Sequence, residues 1–324
     1  MSGKRASART EAKVTHEQGG ATVSAVVRQL SGLAWSKARE LCTTGRVSVD
    51  GRRVLDPAAR VEAGAAIAFD LDAPRLRKGV LPREAIVHVD ADVIVVDKPA
   101  GVMTVPFDEG DRDTLVDQTR AALRRIDKGS RDPMVGAVQR LDKDTTGVLV
   151  FARNMSAKRA LQDQLREHTV TRRYLAIVHG EARSARYETS LVQDRGDGLR
   201  GSWGASTFHR GPPPEGSKRA VTHVSMQEAL KGASLVECRL ETGRQHQIRI
   251  HLSEAGHPLV GEPVYIRGFA GPTIAAPRTM LHAFELAFDH PRTGERVTFR
   301  REPPQDFADV LSALRSRGRA TSAP

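Results

Sequence analysis

Gly136-Ala137-Val138-Gln139-Arg140-Leu141-Asp142-Lys143-Asp144-Thr145-Thr146-Gly147-Val148-Leu149-Val150 sets a crowd of charge directly before an apolar, β-branched run. Val148 to Phe151 reads as a buried strand, because four apolar residues follow a glycine. Asp142 to Gly147 reads as the loop that feeds it. Its Asp and Thr side chains can bond their own backbone, and Gly147 permits a sharp entry into the strand. A carboxylate at such a junction is held by rigid structure at an edge that a substrate can reach. Arg140, two residues earlier, supplies a counter-charge and can hold a phosphate nearby. A solvated loop with one ion pair fits the same residues, and this stretch alone leaves both readings open.

Downstream, Ser156 is a candidate N-cap for a helix with Ala157, Ala160, Leu161 and Leu165 inward. Arg172 to Val178 returns as a strand, in which Tyr174 is either an ordinary strand aromatic or a base-stacking residue. Residues 181–217 are rich in Gly, Pro and charge and suggest a hairpin with long loops. Their glycines match no dinucleotide or phosphate-loop spacing. Residues 221–224 and 234–240 read as an antiparallel pair. The second dense patch is Glu241 to Pro258. Thr242 and Gln245 have capping-box spacing, Gly256 stands at a C′ position and Pro258 follows, so the patch is read as a helix from 242. Ile248, Leu252 and Ala255 form its stripe; His246, Arg249 and Ser253 share another face. His246 and His251 are five apart with no cysteine nearby, which is poor ligand spacing, and no metal is expected. Met280 to Phe288 is another strand, Val297 to Phe299 pairs back, and Phe307 to Leu314 closes as a helix. Residues 315–324 read as a frayed tail.

Upstream, Ile86 to Val89 and Val93 to Val96 are short strands, and Asp97-Lys98-Pro99-Ala100-Gly101 is a turn. Asp113 is a candidate cap for a helix with Leu115, Thr119, Ala122, Leu123 and Ile126 inward. Its Arg120, Arg124 and Arg125 read as a solvated face. Residues 73–84 form a linker. Residues 21–72 form a small module of two helices, then Gly45-Arg46-Val47-Ser48-Val49-Asp50-Gly51-Arg52-Arg53, a hairpin turning at Asp50-Gly51. That pattern resembles the S4 RNA-binding domain. The resemblance makes Lys37, Arg39, Arg46, Arg52 and Arg53 its phosphate contacts, which position RNA without reading bases. Residues 1–20 lack periodic apolar positions and are expected to be a disordered basic tail.

The whole chain of 324 residues is long enough for two domains and needs no disulfide staple. Its two cysteines are far apart, and no apolar run approaches a membrane span, so a cytoplasmic setting is expected. Net charge is +11, from 50 Lys+Arg against 39 Asp+Glu. Such a surplus favours a polyanionic partner, although arginine-rich composition alone would also produce it.

Six motifs in order along residues 85–314 resemble the RluA-type pseudouridine synthases. They are Asp-Lys-Pro-Ala-Gly at 97–101, Arg-Leu-Asp-Lys-Asp-Thr-Thr-Gly at 140–147, and Arg-Arg-Tyr-Leu-Ala at 172–176. Thr-Gly-Arg-Gln-His-Gln-Ile-Arg-Ile-His at 242–251, Gly-His-Pro-Leu-Val-Gly at 256–261 and Leu-His-Ala at 281–283 complete the set. The resemblance implies an α+β fold: the S4-like module, then a mixed, mainly antiparallel sheet with flanking helices and a central cleft. It implies isomerisation of uridine in structured RNA, 23S rRNA before tRNA, by a monomer with no membrane partner. It makes Asp142 the nucleophile, Arg249 its basic partner, Tyr174 the stacking aromatic and Arg140 a residue that holds the base out of the helix. Arg244 and His246 fall in the same substrate motif. The reaction adds and removes no atoms, so no cofactor is expected. Four positions depart from the family pattern: Gln139, Thr146, Val105 before Pro106, and Glu262. A noncatalytic RNA-binding or assembly factor is the competing class, and the intact Asp142, Tyr174 and Arg249 set argues against it. A hydrolase would need a second placed carboxylate or a nucleophile–base pair, which the motifs do not supply.

Overall fold

The computed structural model describes residues 9–54, 56–71, 79–108, 111–127, 132–204 and 211–319, apart from the side chains of residues 52, 53 and 317–319. The chain forms two compact units, Met1–Val80 and Leu81–Pro324. The linker expected at 73–84 falls outside the described residues up to 78. Its C-terminal end is structured: Leu81 is buried and Arg83–Ala85 makes a 3-10 turn.

The first unit contains β1 (Arg9–Lys13), α1 (Val23–Ser31), α2 (Trp35–Thr43), β2 (Val47–Val49), β3 (Arg52–Arg53) and β4 (Ala66–Asp70). Thr22 caps α1 by accepting from the Ala25 N–H. Asp50 (φ 49°) and Gly51 (φ 74°) are both left-handed, the geometry that a two-residue hairpin turn requires. Val23, Val26 and Val27 of α1 pack with Leu41 and Cys42 of α2 and with Val47, Ile67 and Phe69 of the strands. The sheet runs β1-β4-β2-β3. Its first strand corrects the tail expected at 1–20, since Arg9–Lys13 pairs antiparallel along β4, Arg9 opposite Asp70 and Lys13 opposite Ala66. An edge strand needs backbone partners rather than an apolar run, so hydrophobic periodicity gives no sign of it. Residues 1–8 lie outside the described residues.

The second unit begins its sheet with β5 (Ile86–Val89) and β6 (Val93–Lys98), followed by α3 (Leu115–Ile126), β7 (Gly136–Ala137), β8 (Thr146–Ala152) and α4 (Met155–Arg166). There follow β9 (Thr171–His179), β10 (Ala185–Val192), β11 (Gly201–Ser202), β12 (Lys218–Leu230) and β13 (Ala233–Leu240). The unit closes with α5 (Gln247–Glu254), β14 (Leu281–Asp289), β15 (Arg296–Arg300) and α6 (Gln305–Arg319). One sheet runs β11-β10-β12-β13-β9-β14-β8-β6-β5, with β15 added to β14 and β7 to β8. The parallel pairing among the described residues is β14 on β8; the others are antiparallel. The fold is thus α+β with a mixed, mainly antiparallel sheet.

The stretch quoted first lies at the centre of that sheet. Every residue of β8 is buried. Val148, Val150 and Ala152 pack with Ala157 and Leu161 of α4, under Val93 and Phe288. Gly147 stands opposite Ala283 with φ 112°, where a Cβ would come within 2.1 Å of the Ala283 carbonyl oxygen. Only glycine lets β14 approach β8 so closely.

Helix ends differ from expectation in four places. Thr114, not Asp113, caps α3, because Thr114 and Asp117 form a reciprocal capping box. Asn154, not Ser156, caps α4; its Oδ1 accepts from Ala157 N while its Nδ2 donates to Asp92. Residues 315–319 continue α6 rather than fraying, with Leu314 and Phe307 buried against Ile177 and Leu235; residues 320–324 lie outside the described residues. α5 starts at Gln247 rather than at 242. Gln247 itself explains the shift: its Oε1 accepts from the Thr242 hydroxyl and from Arg244 N, so the Thr242 side chain serves this loop instead of a helix terminus.

Candidate active site

The loop before β8 opens onto a cleft of about 650 Å³ lined by Asp142, Tyr174, Arg172, Arg244, His246 and Arg249, among others. Asp142 projects from the loop with its side chain 21% exposed. Two fixtures hold its flanks. The Thr104 hydroxyl donates to the Leu141 carbonyl at 2.7 Å and accepts from Leu141 N at 3.1 Å. The buried Lys98 Nζ donates to the carbonyls of Pro99, Lys143 and Thr145 at 3.0, 2.7 and 2.9 Å. Three acceptors use every N–H of an ammonium. Burial pulls Lys98 down to about 7, with Asp144 and Asp142 opposing.

Arg249, on α5, turns Nη1 toward Asp142 Oδ2 at 3.5 Å. Its Nε and Nη2 form a fork on Glu262, at 2.8 and 2.7 Å. The Glu262 side chain is fully buried, and its Oε1 also accepts from the backbone of Val264 and Tyr265. Burial alone would lower the guanidinium. The Glu262 bonds and charge, joined by Asp142, more than reverse this and hold Arg249 above its ordinary value. The arginine is therefore a fixed positive charge beside an aspartate whose other neighbours leave it open to the cleft. His246 Nε2 lies 3.9 Å from Asp142 Oδ1, and its Nδ1 shares a 2.8 Å hydrogen bond with the Tyr265 hydroxyl. Burial holds His246 below the usual histidine value, against the pull of Asp142.

Tyr174, on β9, is 7% exposed, and its hydroxyl makes no hydrogen bond among the described residues. Burial raises the phenol to about 12. At neutral pH the free protein thus presents an aromatic face and a protonated hydroxyl.

The structure brings Asp142, Tyr174, Arg249, His246 and Arg244 to one cleft, with Arg140 exposed at its rim. Arg244 is also exposed, its Nε donating to the Arg219 carbonyl. The S4-type candidates belong to the first unit. Lys37 and Arg39 are exposed, Lys37 pairing with Glu40 at 2.8 Å. Arg46 is half-buried with a buried Nε that lacks a partner. The side chains of Arg52 and Arg53 lie outside the described residues. Sequence reasoning missed an exposed aromatic there: Trp35, 49% exposed, with the Arg28 guanidinium 5.0 Å over its ring. It also missed Lys98, Tyr265 and Arg172, and it treated Glu262 as a departure without seeing its role. Gln139 and Val105 line the cleft, whereas Thr146 bonds His282 at 2.9 Å. Asp90, Asp92 and His290 converge elsewhere, but their polar atoms are engaged by His88, Arg292, Asn154 and backbone N–H groups.

Residues 92–254 match the family model of RNA pseudouridylate synthases, and residues 26–67 match the S4 domain. Ribosomal large subunit pseudouridine synthase D of Zymomonas mobilis is 37% identical, over 90% of this chain and 92% of its own. The protein of the same name from Pseudomonas aeruginosa is 35% identical over 94% of this chain and 95% of its own. Among solved structures, human RNA pseudouridylate synthase domain containing 4 superposes with a TM-score of 0.58 at 22% identity, covering 72% of this chain and 93% of that one. At that identity the likeness concerns the fold.

Proposed function

Because the chain belongs to the RNA pseudouridylate synthase family and carries an S4 domain, we propose that it isomerises uridines of large-subunit ribosomal RNA with Asp142 as nucleophile. Family membership makes it an isomerase that acts on RNA. The ribosomal target is inferred from what its relatives are named for. The observation that carries the role of Asp142 is its carboxylate in the lining of a cleft, 3.5 Å from an arginine locked by a second, buried carboxylate.

Isomerisation exchanges the N1–C1′ bond of uridine for a C5–C1′ bond and moves a proton from C5 to N1. A nucleophile must attach while the base detaches and turns, then leave unchanged. Asp142 suits this role: Thr104 and Lys98 fix the backbone on either side of it, and Arg249 sets a positive charge beside it without covering it. The target base must leave its stack to enter the cleft, and the Tyr174 ring is the platform for it. Arg140 at the rim helps to hold the target base out of the helix. Lys37, Arg39 and Arg46 add sequence-independent grip from the S4 unit. No described helix is long and apolar enough to cross a membrane. We place the enzyme in the cytoplasm with its RNA, acting as a monomer.

Pseudouridine mapping of total RNA from cells with and without the gene names the target. Sites should vanish from large-subunit rRNA on deletion and should not return with Asp142→Asn, whose RNA affinity stays within about two-fold, since an isosteric amide removes no phosphate contact. Full modification by the Asn variant would refute the nucleophile, and sites lost only from tRNA would refute the target.

A further inference from the structure

The cleft holds a guanidinium that no carboxylate among the described residues neutralises. Arg172 stands two residues before Tyr174 on β9, so the two side chains share a face of the strand, and both line the cleft. Arg172 is 6% exposed. Its Nη2 donates to the Glu241 carbonyl at 2.7 Å. That is its single acceptor among the described residues, for a side chain with five N–H donors; its buried Nε has none. Its Nη1 lies against the backbone of Gly243, where a Cβ would stand only 2.3 Å away. The next residue is Arg244, of like charge. Burial, with Arg244 adding to it and Tyr174 opposing, holds the Arg172 guanidinium below its ordinary value. Neighbouring arginines are treated differently. Arg249 has Glu262, and Arg173 has both Glu237 and Glu285. Arg172 forms no ion pair among the described residues.

We propose that Arg172 and Arg244 form a phosphate site that seats the RNA backbone beside the target uridine and so sets its base on Tyr174. The proposal rests on reading the cleft as the uridine site. A phosphate between the two guanidiniums brings one negative charge to a pair that has no carboxylate of its own among the described residues, and gives Arg172 an acceptor beyond the Glu241 carbonyl. A neutral base edge would accept hydrogen bonds but leave the like charges of Arg172 and Arg244 uncompensated. The planar fork of arginine matches phosphate geometry, which an ammonium does not. Arg172 is then a positioning residue rather than a reacting one.

The test uses the full chain and an unmodified 23S rRNA transcript, following pseudouridine formation against salt. Arg172→Gln keeps a donor for the Glu241 carbonyl but removes the charge. It should lower the apparent second-order rate constant by about 10- to 100-fold. It should also flatten the slope of log rate against log salt by about 0.7 to 0.9, the loss of one phosphate contact. Arg172→Lys should restore the slope and only part of the rate. Arg244→Gln, on the exposed side, provides the same readouts should Arg172→Gln not fold, as a thermal melt reports. The double variant should lose less than the product of the two single losses, because both hold one phosphate. A rate loss with an unchanged slope, or fully multiplicative losses, would overturn the site in favour of base reading or packing. A wild-type chain that forms no pseudouridine in the transcript would instead overturn the reading of the cleft beneath it.

Discussion

Replacing Glu262 with glutamine should strand Arg249 while leaving the shape of the site intact. Three donors converge on Glu262 Oε1: Arg249 Nη2 at 2.7 Å, Val264 N at 3.0 Å and Tyr265 N at 3.2 Å. The glutamine carbonyl must take that place. Its amide nitrogen then faces Arg249 Nε, donor to donor, where a 2.8 Å bond stood. Removing one partner of a buried ion pair costs about 3–5 kcal/mol. Asp142, 3.5 Å from Arg249, remains as a counter-charge, so the lower end, about 3 kcal/mol, is expected. For a domain of this size that lowers Tm by roughly 6–12 °C. The released guanidinium closes on Asp142 and encumbers the nucleophile, so the single-turnover rate should fall about 10- to 100-fold, some 1.4 to 2.8 kcal/mol of barrier. A second variant separates the two effects. Arg249→Met combined with Glu262→Gln leaves no stranded charge and should recover most of the stability but none of the activity. The pH dependence has a definite sign. Burial raises the Glu262 carboxyl, but the Arg249 bond and charge outweigh it and hold it below its ordinary value. Its contribution is therefore complete above its unfolded value of about 4.3 and lost as pH falls through the lower folded value. Glu262→Gln should lack that acid-limb loss. Thermal melts, denaturant titrations from neutral to acid pH and single-turnover kinetics measure all of this. A Glu262→Gln variant with unchanged Tm and rate would refute the reasoning. A double variant no more stable than the single would place the loss in the Val264–Tyr265 loop instead.

Three further outcomes are expected. Gly147→Ala drives a Cβ to 2.1 Å from the Ala283 carbonyl at φ 112° and should cost on the order of 4 kcal/mol, read as lost soluble yield and Tm; a near-native melt would mean that β14 and β8 separate easily. Burial between the Thr189 and Thr222 hydroxyls holds His251 at about 4. Stability from this neutral histidine is complete above about 6.5 and lost as pH falls toward the folded value, and His251→Gln should remove up to about 1.4 kcal/mol per pH unit from that slope in denaturant titrations. Tyr174→Phe keeps the stacking face and removes a hydroxyl that has no partner among the described residues. RNA affinity should stay within about two-fold while the single-turnover rate falls; an unchanged rate would confine Tyr174 to stacking.

The parts of this protein legible in sequence were those with a local signature. A glycine before four apolar residues announces β8, and Asp50-Gly51 announces a hairpin, because strand burial and turn conformation are decided within a few residues. Helix starts were less legible where several polar residues competed for one role. Thr114 displaced Asp113 because Asp117 answered it, and Gln247 drew Thr242 away from capping. The strand at Arg9–Lys13 has no signature of its own, since its pairing with β4 is supplied by residues more than fifty positions away. The role of Glu262, noted only as a departure, was hidden for a related reason. It meets Arg249 across a helix end and a loop, and no periodicity joins position 249 to 262.

Arg172 and Arg173 show where more could have been read. They are adjacent and identical, so composition cannot tell them apart, yet a strand sends neighbours to opposite faces. Once Tyr174 is assigned to the cleft, alternation assigns Arg172 to it and Arg173 away from it. The acidic partners follow the same logic. Glu237 and Glu285, which neutralise Arg173, lie on the strands that flank β9 on either side, and Glu285 stands directly opposite Arg173. The face carrying Tyr174 pairs instead with Cys238 and Ala283, which bring no charge. A strand that places one arginine among acids and the next among none has sorted a structural cation from one left to meet an anion from outside, and in an enzyme that acts on RNA that anion is a phosphate.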